Sequence, residues 1–283
     1  MKNSSVADKL TLLRAELESL GSVVVAFSGG ADSALLAFVA LDVLGSRRCL
    51  AVTAESASLA PEEDDDCRTL AAEWKLPWQG AATSELSDDR YLRNDSDRCF
   101  WCKTALMDVL EPIAVARNAV VVLGVNTDDL GDHRPGQRAA GERGAVFPMV
   151  AAGMNKTDVR RLSAQLGLRT ATKPAAACLS SRIPYGTPVS IGTLSSIAVA
   201  ESGLRKLGFR ELRVRHYGDT ARVEVGSDEL GRAVTERTKV IAVIKQAGYR
   251  YVTLDLEGFR SGNLNGSNVA ISSSPTAQAT EAV

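Results

Sequence analysis

A chain of 283 residues with 45% hydrophobic content is long enough to bury one substantial core and a second smaller one, so two domains are expected. Its net charge of −1 supplies no global basic field, which speaks against a nucleic-acid binder and for a small-molecule substrate. No apolar h-region follows the N-terminus and no apolar stretch reaches bilayer-spanning length, so a cytoplasmic protein is expected, and its five cysteines are to be read as metal or catalytic groups rather than a disulfide framework.

Leu10, Leu13, Leu17 and Leu20 recur at helical spacing and Gly21 ends the run, which predicts an opening amphipathic helix. Residues 23–27 are an apolar strand, 28–33 a glycine-containing turn, and 34–41 a helical pattern. A second strand is expected at 49–53, and Pro61-Glu62-Glu63 reads as a helix start with acids against the dipole. A helix over 102–113 tolerates Pro112 only near its end, residues 119–124 suit a strand buried on both faces, and Thr157-Asp158 caps a further helix. Such alternation predicts an α/β fold with a doubly wound, mostly parallel sheet over residues 1–180, with ligands at the carboxyl ends of its strands. From 181 to 260 the pattern becomes helix, two alternating strands joined at Gly218-Asp219, helix over 230–247, and strand over 251–256, a small α+β domain. Residues 261–283 turn to Ser, Asn, Gly and Ala and are expected to be a disordered tail.

The turn Ser28-Gly29-Gly30-Ala31-Asp32-Ser33 stands between strand and helix, where two glycines bring backbone N–H groups and a helix N-terminus to one anion. No Lys follows the glycines, and Asp32 would repel a phosphate unless Mg²⁺ came between them. SGGxDS resembles the PP-loop of the ATP pyrophosphatases, which split ATP into AMP and pyrophosphate; the alternative is a turn that holds nothing. Cys99 and Cys102 form a CxxC beside Arg98 and Lys103, which by itself could be a redox pair, half a zinc site or two unrelated thiols. Cys178 adds a third thiol next to Ser180-Ser181-Arg182, a group able to hold a phosphate or carboxylate. Three cysteines without an obvious fourth ligand suit a [4Fe–4S] cluster with one open iron better than a closed Cys₄ zinc site. Cys49, inside a strand, reads as a packing thiol, and Cys67, on the Asp64-Asp65-Asp66 helix, as a surface thiol.

SGGADS, RCFWCK, residues 124–136, ACLSSRIPYG and LDLEGFRSG occur in that order. Together they resemble the pyridinium-3,5-biscarboxylic acid mononucleotide sulfurtransferases (LarE family), over most of the folded chain. The resemblance implies that ATP adenylates a substrate carboxylate with release of pyrophosphate, that a sulfur nucleophile displaces AMP, and that the thiocarboxylate serves nickel-pincer nucleotide cofactor synthesis. Members with only the cysteine matching Cys178 are understood to sacrifice its sulfur and end as dehydroalanine, whereas those with the CxxC are thought to hold a cluster. It further implies that Cys99, Cys102 and Cys178 ligate three irons and that the open iron carries an added sulfide.

On the same likeness, Asp32 and Asp129 hold Mg²⁺, and Ser28, Gly29, Gly30 and Ser33 cradle the pyrophosphate. Thr53, Gly124 and Arg134 join the ATP contacts. Lys103 and Arg182 neutralise the charge that moves to the leaving group, and Glu201, Arg213, Arg215 and Arg260 face the sulfur of Cys178. Arg138 is a plausible anion contact, Arg232 stands where an acid is expected, and His133 and His216 read as packing or hydrogen-bonding residues. The implied partners are the pyridinium nucleotide, a sulfide or persulfide donor and further copies of the chain in a homo-oligomer, with no membrane and no nucleic acid. Competing readings are a PP-loop tRNA thiolase, which needs a basic groove, an ammonia-using synthetase, which leaves the cysteines without purpose, and a non-catalytic nucleotide or redox sensor.

Overall fold

A computed structural model describes residues 5–131, 135–174 and 177–260. Eleven helices are present among them: α1 Val6–Leu20, α2 Ala31–Leu44, α3 Pro61–Trp74, α4 Asp89–Leu92, α5 Arg98–Ala116, α6 Pro135–Glu142, α7 Pro148–Ala151, α8 Lys156–Gln165, α9 Ile191–Lys206, α10 Leu230–Thr235 and α11 Arg237–Gln246. Seven strands accompany them: β1 Val23–Ala26, β2 Cys49–Glu55, β3 Trp78–Ala82, β4 Val120–Leu123, β5 Leu212–Tyr217, β6 Thr220–Val225 and β7 Tyr251–Leu254. The tail at 261–283, His133 and Arg134 lie outside the described residues.

β1 to β4 form the expected parallel sheet, in the order β3-β2-β1-β4. Alternation along each strand sends side chains to opposite faces. Val23, Val25, Cys49, Ala51 and Val122 meet Leu13, Leu17, Leu35 and Leu70 of α1, α2 and α3 on one side. Val24, Leu50, Val52, Val121 and Leu123 meet Leu106, Met107 and Leu110 of α5 on the other. Helices on both faces explain why these strands read as unbroken apolar runs. β3 escapes the sequence pattern because Trp78-Gln79-Gly80-Ala81-Ala82 lacks β-branched residues; it is an edge strand whose Gly80 makes room for the Glu55 carboxylate of β2.

The remaining elements build a three-stranded sheet in the order β5-β6-β7, with β5 and β6 antiparallel and β6 and β7 parallel. Leu204, Phe209, Val214, Val223, Val225, Val240 and Ile244 form its own core. The single helix expected over 230–247 is two, broken at Glu236, which caps both. Arg232, at the position where an acid is expected, covers the end of α9: it donates to the carbonyls of Leu207 and Gly208 and stacks 4.6 Å from the Phe209 ring.

Two local starts also differ from the sequence pattern. α5 begins at Arg98, so the CxxC lies in its first turns and not before them. α8 is capped by Asn155, whose side chain accepts from Asp158 N–H while Asp158 reaches back, a capping box that starts two residues before the Thr157-Asp158 cap that the sequence suggests.

Candidate functional site

The parallel order changes direction at β1, whose neighbours are β2 on one side and β4 on the other, so a crevice opens at the carboxyl ends of β1 and β4. The glycine turn occupies it. Gly29 has φ +64, a conformation that disfavours side chains, and a Cβ there would come within 3.0 Å of Cys67 Sγ. Gly30 caps α2 without any side-chain hydrogen bond, which leaves the first N–H groups of the helix for a ligand. Ser28 N–H donates to Ser33 Oγ at 3.2 Å and the two hydroxyls lie 3.1 Å apart, closing the turn on itself.

Thr53 and Gly124 shape the crevice from beneath. Thr53 is buried, donates to the Phe27 carbonyl at 2.8 Å and accepts from Trp78 Nε1. Gly124 touches the first turn of α2, where a Cβ would stand 2.7 Å from Ser33 N, so a side chain there would push the helix N-terminus away. Cys67 is fully buried beneath the turn, which corrects the surface reading: the acidic run faces out while Cys67, Leu70 and Ala71 share the inner face of α3. Burial pushes the Cys67 thiol up to about 11 and the Cys49 thiol up to about 12.

Asp32 on the first turn of α2 has both carboxylate oxygens engaged. Oδ1 accepts from Asn126 Nδ2 at 3.2 Å and Oδ2 from Lys156 Nζ at 2.5 Å. Asn126 also donates to Asp129 through its backbone and side chain, at 3.1 and 2.9 Å, and accepts from Asp128 N–H. Neither Asn126 nor Lys156 stands out in sequence as a partner of Asp32, and only the meeting of β4, α8 and α2 identifies them. Lys173 is a third such residue. It donates to the Gly29 carbonyl at 3.2 Å, Glu63 at 2.7 Å and Asp66 at 2.5 Å. Burial opposes its charge, but the two carboxylates outweigh that and hold its pKa above the ordinary value.

The thiols lie at the same carboxyl edge. Cys99 is exposed, Cys102 and Cys178 are half-buried, and the two on α5 share one helix face at spacing i, i+3. Burial pushes the Cys102 thiol up to about 12, with Lys103 opposing and Cys178, Glu85 and Cys99 adding to the rise, which places all four groups in its electrostatic neighbourhood. The Lys103 stem packs against Gly136 of α6. Cys102 and Trp101 pack with Tyr91, Leu179, Ile183, Leu194 and Ile197, a small core joining α4, α5, α9 and the segment after Cys178.

That segment is held from every side. Arg182 forms a bidentate pair with Glu201 of α9, at 2.8 and 3.0 Å, while its third nitrogen donates to the carbonyls of Ala177 and Cys178 and to Ser181 Oγ. Arg215 of β5 forms a second bidentate pair with Glu224 of β6, at 3.0 and 3.1 Å, and donates to the Ser181 carbonyl at 2.9 Å. Arg98 donates to the Ser180 carbonyl, Tyr91 OH lies 2.6 Å from Ser180 Oγ, and Leu179 N–H donates to the Ser58 carbonyl. Ser180-Ser181-Arg182 is thus engaged by the protein itself. Glu201 and Glu224 are fully buried. Burial works against the Glu201 charge, yet Arg182, the Val214 N–H and Arg205 outweigh it and hold the carboxyl below its usual range.

Arg213, between these pairs, is buried and lies 4.8 Å from the Phe259 ring; no carboxylate pairs with it among the described residues. Burial, reinforced by repulsion from Arg182 and Arg215, lowers its pKa to about 10. Glu85 was not singled out by the sequence either: it is buried, Oε1 accepts from Ser58 Oγ at 3.2 Å, and Oε2 has no partner. Arg138 stacks on Phe100, inside the CxxC, Arg260 pairs with Glu257, and His216 lies 3.2 Å from Tyr249 OH.

The family model for NAD synthase matches residues 6–86, which span the glycine turn and strands β1 to β3. Over the whole chain the similarity is to other proteins. An uncharacterised protein of Synechocystis sp. is 41% identical over 91% of this chain and 97% of its own length. The pyridinium-3,5-bisthiocarboxylic acid mononucleotide synthase of Lactiplantibacillus plantarum is 40% identical over 93% of this chain and 95% of its own. An uncharacterised protein of Methanocaldococcus jannaschii is 27% identical over 84% of this chain and 91% of its own.

Proposed function

Because this chain belongs to the family of the pyridinium-3,5-bisthiocarboxylic acid mononucleotide synthase, we propose that it is an ATP-dependent sulfurtransferase acting on a pyridinium dicarboxylate mononucleotide, in the synthesis of the nickel-pincer nucleotide cofactor. The observation that carries this reading is the presence, at the carboxyl end of one sheet, of an open glycine turn with Asp32, held by Lys173 at the Gly29 carbonyl, and of a clamped cysteine segment hydrogen-bonded through Leu179 to Ser58.

Two displacements account for the reaction. A substrate carboxylate oxygen attacks the α-phosphorus of ATP and pyrophosphate leaves with the bonding pair; sulfide then attacks the acyl carbon and AMP leaves. The N–H groups of the turn and of α2 take up the pyrophosphate charge; Asp32, with Asp129 positioned through Asn126 beside it, would hold the Mg²⁺ that neutralises it. Arg182 and Glu201 keep the Cys178 backbone in place, and Arg213 supplies a desolvated positive charge toward the anionic substrate.

The donor set fits an iron–sulfur group: three thiols share one electrostatic neighbourhood beside a buried carboxylate oxygen without a partner. No three His, Cys, Asp or Glu side chains converge on a single-ion site among the described residues, and the thiolates of a cubane each bind a different iron. A [4Fe–4S] cluster held by Cys99, Cys102 and Cys178 would supply a sulfide that is deprotonated at neutral pH.

Anaerobic protein analysed for iron and acid-labile sulfide tests the ligand set. Alanine at Cys99, Cys102 or Cys178 is expected to remove most of the iron, and alanine at Cys49 or Cys67 to leave it; equal loss across all five would sink the assignment. With ATP, Mg²⁺, excess sulfide and the pyridinium nucleotide, more than one thiocarboxylate per chain is expected. Single turnover with Cys178 lighter by about 34 Da, the mass of H₂S, would assign its sulfur to sacrifice instead.

A further inference from the structure

Lys156 stands where a nucleotide-bound metal would contact Asp32. Two carboxylates, Asp32 and Asp129, accept from the Asn126 side chain, the Asp128 carboxylate accepts from the Lys156 backbone N–H, and the Lys156 ammonium sits on Asp32, the carboxylate that faces the glycine turn. Without a cation there, the Asp32 carboxylate would face an incoming triphosphate with its charge uncompensated. Lys173 cannot serve, because Glu63, Asp66 and the Gly29 carbonyl surround it and its side chain is 17% exposed. Lys156 differs in both respects. Asp32 is its single ion-pair partner among the described residues, and its side chain is 33% exposed. Its backbone is fixed, with the N–H on Asp128 Oδ2 at 3.0 Å and the Asn155 capping box beside it, so only the flexible stem needs to move.

We propose that Lys156 is a place-holding cation: in the nucleotide-free protein it occupies the Asp32 carboxylate, and when ATP arrives with its divalent ion the metal takes that carboxylate while the ammonium turns to the polyphosphate. Metal and nucleotide therefore bind as one unit, and metal alone binds poorly. This rests on the reading of the turn as an ATP site, and not on the sulfur chemistry.

The test is a Mn²⁺ titration of nucleotide-free protein followed by the electron paramagnetic resonance signal of the free ion. Wild type and Lys156→Arg are expected to bind Mn²⁺ weakly, because each keeps a cation on Asp32. Lys156→Met and Lys156→Gln are expected to bind it at least about tenfold more tightly, and the gain should vanish in the Asp32→Asn/Lys156→Met double variant. A non-hydrolysable ATP analogue with Mg²⁺ should bind Lys156→Met about tenfold more weakly than wild type, through loss of an ammonium–phosphate contact. Equal Mn²⁺ affinity in wild type and both neutral variants, at unchanged melting temperature, would overturn the proposal, as would tight Mn²⁺ binding by wild type alone. A protein that shows the exchange yet releases no pyrophosphate with the pyridinium nucleotide would keep this role for Lys156 and lose the proposed reaction.

Discussion

The two ends of the crevice are built on opposite principles. At the phosphate end the ligand-facing groups are backbone N–H and partly exposed side chains, with Asp32 and Lys156 at 22% and 33% exposure. At the sulfur end the cysteine segment is gripped by two bidentate Arg–Glu pairs whose carboxylates are fully buried. Exposed pairs exchange partners at little cost, whereas a buried pair that loses one member leaves an uncompensated charge. The difference matches a ligand that comes and goes with each turnover at one end, and a group that has to stay in register at the other.

That contrast can be broken most severely at Glu201. Glu201→Ala strands Arg182 in the interior and is expected to destabilise the protein by about 3–5 kcal/mol, and to loosen the Cys178 segment. Urea unfolding measures this, and a loss under about 1 kcal/mol would show that the pair is not the clamp. Next comes Gly124→Ala, whose Cβ would sit 2.7 Å from Ser33 N; overpacking of this kind costs about 1–3 kcal/mol. Nucleotide affinity should fall with it as α2 is displaced, which calorimetry with an ATP analogue would read. Asp32→Ala should change stability by less than about 1 kcal/mol, because its ion pair is partly solvated, yet pyrophosphate formation should disappear. Retained pyrophosphate release in that variant would remove the nucleotide assignment.

Acid should separate the two ends more gently. The folded-state pKa of Glu201 lies below its ordinary value of 4.5, so its contribution is fully present above that value and is lost as pH falls through the depressed one. Melting temperatures of wild type should therefore decline below about pH 4.5, and Glu201→Gln should flatten that decline. An identical acid profile in both proteins would locate the sensitivity elsewhere.

How much of this was legible in the sequence follows the same division. The glycine turn is contiguous, with strand before and helix after, so its chemistry could be read from local pattern. Lys156, Lys173 and Asn126 reach it from 94 to 144 residues away and look in sequence like solvated charges and a loop amide. Arg182 and Glu201 were recognisable as important, but their pairing depends on how α9 packs against the 177–182 segment, which no local pattern encodes. Cys67 was misplaced because three neighbouring aspartates suggested exposure, while the helical period puts it on the face with Leu70. β3 was missed because an edge strand needs neither alternation nor branched residues when its neighbour supplies the pairing.

Lys173 is hydrogen-bonded to the Gly29 carbonyl, and the chain then runs five residues to Cys178. A leash of that length reaches no more than about 18 Å at full extension. In the proposed reaction, a mixed anhydride formed at the turn and the sulfur delivered at the cysteine would thus be moored to the same short piece of chain, and an intermediate that water would destroy would have no open sea to cross.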